Sequence, residues 1–146
     1  MLAIIGGETA RFAPFSQLFQ QALEKFGQPQ RPVGVHAPGH VAATDEQALE
    51  EFLPAFEATM RRVSQQRGFR TPTRETLMRD VGPGGALHIG SPETVARKIT
   101  ATLKDLDATR FDLKYGMNGM SHSTLMTNIE LFGTEVAPLV REMMGS

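Results

Sequence analysis

Two histidines, His36 and His40, stand four residues apart with Pro38-Gly39 between them, and two imidazoles at that spacing on a helix can chelate a metal ion. The Pro-Gly pair forbids that helix, and an extended strand holds the rings more than ~12 Å apart unless it bulges. No third ligand lies nearby, so no metal site is expected. The other residues whose types suggest chemistry are Gly6-Gly7 with Glu8 and Arg11 behind them, Gly90-Ser91-Pro92-Glu93, and Tyr115-Gly116 followed by Asn118 and His122. A double glycine lets a phosphate or a cofactor edge approach the backbone, and it equally makes an ordinary strand-to-helix turn. Gly90-Ser91 offers amides to an anion at a helix start, and a plain serine cap with proline at the first helical position explains the same residues. His122, between Ser121 and Ser123, suits a general base and equally suits a helix start. No Ser-His-Asp spacing, P-loop or Gly-x-Gly-x-x-Gly motif occurs.

These residues need strands and helices to bring them together. Leu2 to Ile5 is a short apolar run closed by glycines, which reads as a buried strand of a parallel sheet. A helix follows with Phe15, Leu18, Phe19, Ala22, Leu23 and Phe26 at three- and four-residue spacing and Gly27 as its stop. Val33 to Ala43 reads as a second strand, bent or bulged at Pro38-Gly39. Thr44-Asp45-Glu46-Gln47 has capping-box form and opens a helix with Leu49, Phe52, Phe56, Met60 and Val63 on one face, kinked at Pro54 and running to about Arg67. Thr73 to Asp80 is expected to add a short helix with Leu77 and Met78 inward. After the Val81-Gly-Pro-Gly-Gly loop, Leu87 to Ile89 is extended, and Ser91-Pro92-Glu93 starts a helix to Leu106 that buries Val95, Ile99, Thr102 and Leu103. Arg110 to Gly116 alternates like a strand. The last helix, from about Ser123 to Met144, carries Met126, Ile129, Phe132, Val136, Leu139, Val140 and Met143 at helical spacing. Strands separated by helices of ten or more residues argue for an α/β fold with a parallel sheet. Ligands of such folds collect at the carboxyl ends of the strands.

Composition narrows the function. With 15 basic against 16 acidic side chains the net charge is -1, so no whole-domain field attracts nucleic acid or an anionic membrane. The absence of cysteine excludes disulfides, thiolate metal sites and thiol nucleophiles. The start, MLAIIGGETARF, has neither the basic region of a signal peptide nor the length of a membrane span, so a cytoplasmic location is expected. The 146 residues make one domain, well short of the ~250 that a closed (β/α)₈ barrel takes.

The succession LAIIGGETARFAP, PVGVHAPGHVAATDEQA, GSPETVARKI, RFDLKYG and IELFGTEVAPLVRE resembles the C-terminal part of the luciferase-like, flavin-dependent monooxygenases. The match is ordered and spans almost the whole chain. The resemblance implies a partial (β/α)₈ TIM barrel made of roughly the last three strand–helix units, with about five strands and most of the flavin pocket outside this chain. It implies FMN as cofactor, with the deazaflavin F420 as the alternative, and O₂ and a small organic substrate in the complete enzyme. On this resemblance Gly6, Gly7, Arg11, Gly90, Ser91, Tyr115 and Gly116 are candidate flavin contacts. His36 is placed at the end of the second strand facing the barrel mouth, and His36 and His122 are the candidate catalytic residues. The competing expectation is a non-catalytic partial-barrel module, with or without flavin. An open arc of strands has two unpaired edges, so the chain is expected either to form a homo-oligomer, through its sheets or Met-rich terminal helices, or to pair with a missing N-terminal half.

Overall fold

A computed structural model describes residues 1–145 as alternating strands and helices. Strand β1 is Leu2–Ala3; a 3₁₀ turn, Thr9–Phe12, leads into helix α1, Ala13–Lys25; strand β2 is Gly34–Val41; helices α2 and α3 are Asp45–Arg67 and Arg74–Val81. Then come strand β3, His88–Gly90, helix α4, Pro92–Asp105, and strand β4, Arg110–Lys114. The chain closes with helix α5, His122–Leu131, a π-helical turn, Phe132–Val136, and helix α6, Ala137–Met144. The helix starts follow local chemistry. The hydroxyls of Thr44, Thr73, Ser91 and Ser121 each accept from the amide three residues on, which satisfies one of the donors a helix start leaves unpaired.

Every ladder of the sheet is parallel. Val35 of β2 pairs with Leu2 of β1 and with Phe111 of β4, so those two strands flank β2. The β4 ladder runs from Gly34 to Pro38, and β3 pairs with Gly39 to Val41 along the edge of β2 that carries β1. Alternation along β2 feeds two cores. Val35 and Val41 join Ile4, Val95, Ile99 and Val136 in one cluster, while Ala42 joins Phe52, Phe56, Leu77 and Leu87 beneath α2 and α3 in the other.

Several sequence expectations change. β2 is unbroken through Pro38-Gly39 and carries no bulge there; the β4 ladder ends at Pro38 and the β3 ladder begins at Gly39. β1, β2 and β4 stand side by side in chain order; the short β3 does not lie between β2 and β4 but pairs only with Gly39 to Val41 of β2. His36 is the third residue of that eight-residue strand, in register with Ala3 and Asp112, and therefore does not stand at its carboxyl end; His40 lies closer to it. α2 continues through Pro54. Met78, Met126 and Ile129 are exposed, and the buried residue of α5 is Asn128. The π turn re-phases the terminal helix, so the apolar spacing read as one stripe faces two directions.

Candidate functional site

At the carboxyl end of β1 the chain turns through Gly6-Gly7 and is tied to the loop after α3. Ala86 N–H donates to Gly7 O at 3.0 Å, Thr9 N–H to Gly84 O at 2.9 Å, and Glu8 forms an antiparallel bridge with Gly85. The Gly7 amide itself donates to the buried carboxylate of Asp80 at 2.9 Å. Gly7, Glu8, Arg11, Thr76, Arg79 and Asp80 line an open cleft of about 470 Å³ with two guanidinium groups at its rim. Lys98, from α4, secures the back of this loop. Its ammonium donates to the carbonyls of Val81, Leu87 and Gly82 at 2.6, 2.7 and 2.8 Å, which uses its three N–H donors. Burial pushes the Lys98 ammonium down to about 8, against the opposing attraction of Asp80.

The start of α4 follows the same logic. Asp45, the first residue of α2, places Oδ1 2.6 Å from the Ser91 amide, and its Oδ2 accepts from the Thr94 hydroxyl at 3.0 Å. A side-chain carboxylate thus occupies the position at a helix start that attracts anions. Gly90 makes this possible: its φ is +151°, and a Cβ there would lie 2.6 Å from Asp45 Oδ1. The Ser91 amide is the main reason the Asp45 carboxyl lies below its ordinary value, with the Ser91 and Thr94 hydroxyls and Arg97 adding to the effect against a desolvation cost. Because the folded value is depressed, the stabilisation is complete above the unfolded value near 3.8 and is lost as pH falls through the folded one. Asp45→Ala is expected to cost about 1 kcal/mol, a drop of roughly 3 °C in Tm at neutral pH. Thermal melts at neutral pH and near pH 3 check this: the penalty should shrink in acid.

His40 is fully buried near the carboxyl end of β2, with Nε2 2.6 Å from Glu51 Oε2 and its ring stacked on Phe52 at 6.0 Å. The next residue, Val41, donates its amide to Asn128 Oδ1 at 2.7 Å. His40 Nδ1 and Asn128 Nδ2 are buried and unpartnered among the described residues. His36 is partly buried on the same face of β2 as His40. Beyond β4, Tyr115 is partly buried, Gly116 is exposed, and His122 is the exposed first residue of α5 behind the Ser121 cap. The structure therefore gathers Gly7 and Arg11 at one cleft, with Gly6 next to it in the turn, and sets Gly90 and Ser91 against Asp45. Tyr115, Gly116 and His122 follow the end of β4, and His36 stands apart from them in mid-strand. Sequence reading missed Asp45, Asp80, Glu51, His88 and Lys98 as partners. Only Asp45 carried a signal, as part of the capping box after Thr44.

No group of three or more potential metal ligands forms among the described residues. Among them, too, no helix is long and apolar enough to cross a membrane. Fold and site together define an α/β domain with a four-stranded parallel sheet and its polar loops at the strands' carboxyl ends. No protein-family model and no curated protein sequence matches the chain. Solved structures do. The oxygenating constituent of 3,6-diketocamphane monooxygenase from Pseudomonas putida, in complex with FMN, superposes at TM-score 0.63 and 18% identity over 94% of this chain and 42% of its own. The monooxygenase RslO1 from Streptomyces bottropensis superposes at 0.73 and 13% identity over 93% of this chain and 40% of its own. The EDTA monooxygenase of Chelativorans sp. BNC1 gives 0.61 and 16% identity over 93% and 38%. At these identities the likeness establishes a shared fold. The chain spans about two fifths of the length of each.

Proposed function

We propose that the chain is the C-terminal barrel portion of an FMN-dependent, luciferase-like monooxygenase, not competent for turnover by itself. The observation that carries this reading is the superposition of 94% of the chain on part of an FMN-bound oxygenase, in agreement with the GSPE and ELFGTEVAP segments of the sequence. The residues fit one end of FMN. Arg11 and Arg79 offer guanidinium groups to a phosphate in the cleft beyond Gly7, which Glu8 and Asp80 also line, and on that chemistry Arg11 and the Gly6-Gly7 turn are assigned to that group. Tyr115, Gly116 and His122, which follow the end of β4, are kept as candidates on the flavin's side, while His36, set back in mid-strand, is not. When bound, FMN supplies the redox chemistry with O₂; the chain's own residues bind, orient and exclude water. A four-stranded sheet cannot by itself enclose the pocket that this chemistry needs.

One observation favours a second reading. The Ser91 and Gly7 amides are already bonded to Asp45 and Asp80, as suits a non-catalytic module. A titration of FMN against the purified chain, followed by the flavin's visible absorbance and fluorescence, separates the two. The first reading expects binding that Arg11→Ala weakens about tenfold, the value of one charge-assisted phosphate contact, and no product from reduced flavin above a flavin-only blank. Turnover by the isolated chain would overturn the claim of incompetence, and FMN binding indifferent to Arg11 would overturn the phosphate assignment. In the first reading the completing partner is an N-terminal half or a second copy of the chain, and adding the former in trans should restore turnover.

A further inference from the structure

The cleft beyond Gly7 already holds an anion, and the chain itself supplies it. Asp80, near the end of α3, is only 7% exposed, and its Oδ1 accepts from the Gly7 amide at 2.9 Å. Its Oδ2 lies where Gly6 leaves room, since a Cβ on Gly6 would fall 3.1 Å from that oxygen. The loop after α3 is shaped around the same residue. A Cβ on Gly85 would fall on the Asp80 carbonyl oxygen, and that carbonyl accepts from the Leu87 amide at 3.0 Å. With its backbone pinned in this way, Asp80 has its carboxylate aimed at the Gly6-Gly7 turn.

The room that a double glycine offers to a phosphate is thus taken by a side chain. To a backbone amide a carboxylate and a phosphate look alike, each offering ionised oxygens that only accept. The cations nearby leave this carboxylate in place. Neither Arg11 nor Asp80 forms an ion pair among the described residues, and Arg79 is held by Glu75 at 3.3 Å. The Lys98 ammonium attracts the Asp80 carboxylate but spends its donors on the carbonyls of Val81, Gly82 and Leu87. Arg11 is therefore the guanidinium open to a ligand, and Asp80 is the charge that an anionic ligand must face.

We propose that Asp80 is the specificity-determining residue of this cleft, an internal carboxylate that occupies the phosphate position on the Gly7 amide and confines incoming phosphoryl groups to the Arg11 rim. The inference rests on the reading of the cleft as a phosphate seat. It also ranks ligands. Repulsion between like charges grows in proportion to the ligand's charge, so Asp80 penalises a doubly charged phosphate more than a singly charged diester. A ligand that reaches the Gly7 amide has to displace Asp80 from it.

Titration of the intact chain with inorganic phosphate and with dimethyl phosphate, followed by the backbone-amide and arginine side-chain NMR signals, tests it. In the native chain inorganic phosphate is expected to move the Arg11 signal and leave the Gly7 amide where it is. Asp80→Asn keeps an oxygen for that amide and removes the charge, and a neutral oxygen yields more readily than a carboxylate. It should tighten inorganic phosphate about tenfold, bring the Gly7 amide into the shift, and tighten the diester by less. Asp80→Ala, which frees the amide outright, serves if asparagine disturbs the loop. Glu75→Gln makes the same change of charge on an exposed carboxylate bonded to Arg79, and should gain about twofold at most. Because the probe is inorganic phosphate, a failure of FMN to bind would count against the functional reading and leave this result to be read by itself. A Gly7 amide that shifts with phosphate in the native chain would overturn the proposal. So would equal gains from Asp80→Asn and Glu75→Gln, a gain as large for the diester, or phosphate binding that neither Asp80 variant tightens.

Discussion

Between pH 6.5 and about 3 the fold should lose roughly 1.4 kcal/mol of stability per pH unit through His88 alone, on the order of 4 kcal/mol in all. The side chain is fully buried. Its Nδ1 lies 3.0 Å from Ala86 O and its Nε2 3.1 Å from Thr102 Oγ1, while Phe111 packs against the ring at 4.7 Å. A carbonyl can only accept, so Nδ1 carries the proton and Nε2 accepts from the threonine hydroxyl. Both nitrogens of the neutral ring are satisfied. Burial is the largest force pushing its value from 6.5 to about 3, the nearby Lys98 charge adds to it, and the Ala86 carbonyl opposes them. The unfolded chain therefore takes up this proton below pH 6.5 while the folded chain refuses it, and stability falls with pH until the folded value is reached. Urea denaturation at successive pH values should show His88→Asn less stable at neutral pH and flatter in acid, the two curves converging near pH 3. Parallel curves would remove His88 as the cause.

That histidine shows where sequence reading stops. The extended Leu87-His88-Ile89 segment was legible from its apolar flanks, but nothing in a three-residue run announces that its central side chain will meet Thr102 of the following helix. The helices that bury a conventional face were legible: Ser91-Pro92-Glu93 opens α4, and Val95, Ile99, Thr102 and Leu103 are buried along it. The stripe of α1 was legible as an amphipathic helix and misleading as a guide to burial, because Phe15, Leu18, Phe19 and Phe26 face away from the described core. Periodicity reports which side of a helix is apolar, and only tertiary structure reports what covers it. The candidate site divides in the same way. Gly6-Gly7 and Gly90-Ser91 were found as loops at strand ends, since glycine and capping residues declare themselves locally. Their partners Asp80 and Asp45 lie 73 and 46 residues away along the chain, and the spacing of acidic residues carries no signal over such distances.

The Pro38-Gly39 dipeptide, read from sequence as an interruption of β2, should instead prove to be a junction that tolerates no side chain. At Gly39 the β3 ladder begins, with Gly39 opposite His88 in register. A Cβ on Gly39 would fall on the carbonyl oxygen of His88 and lie 2.5 Å from Leu113 Cδ1. The leucine end can rotate away, but the His88 carbonyl belongs to a backbone that is paired on one side and anchors a buried imidazole on the other. Relief therefore requires β3 to move off β2, which separates the Gly39-to-Val41 ladder and disturbs the Ala42 amide bonded to Gly90 O at 3.2 Å. Gly39→Ala is accordingly expected to cost at least about 3 kcal/mol, the upper range for overpacking a core, and to lower the denaturation midpoint without changing what the surface presents. Gly116→Ala is the matched control, because no atom lies within 4 Å of a Cβ there and the residue has no positive φ. That substitution should be neutral or stabilising by up to about 1 kcal/mol. Chemical denaturation of both variants decides the matter: equal and small effects would mean that β3 does not press against β2 at Gly39.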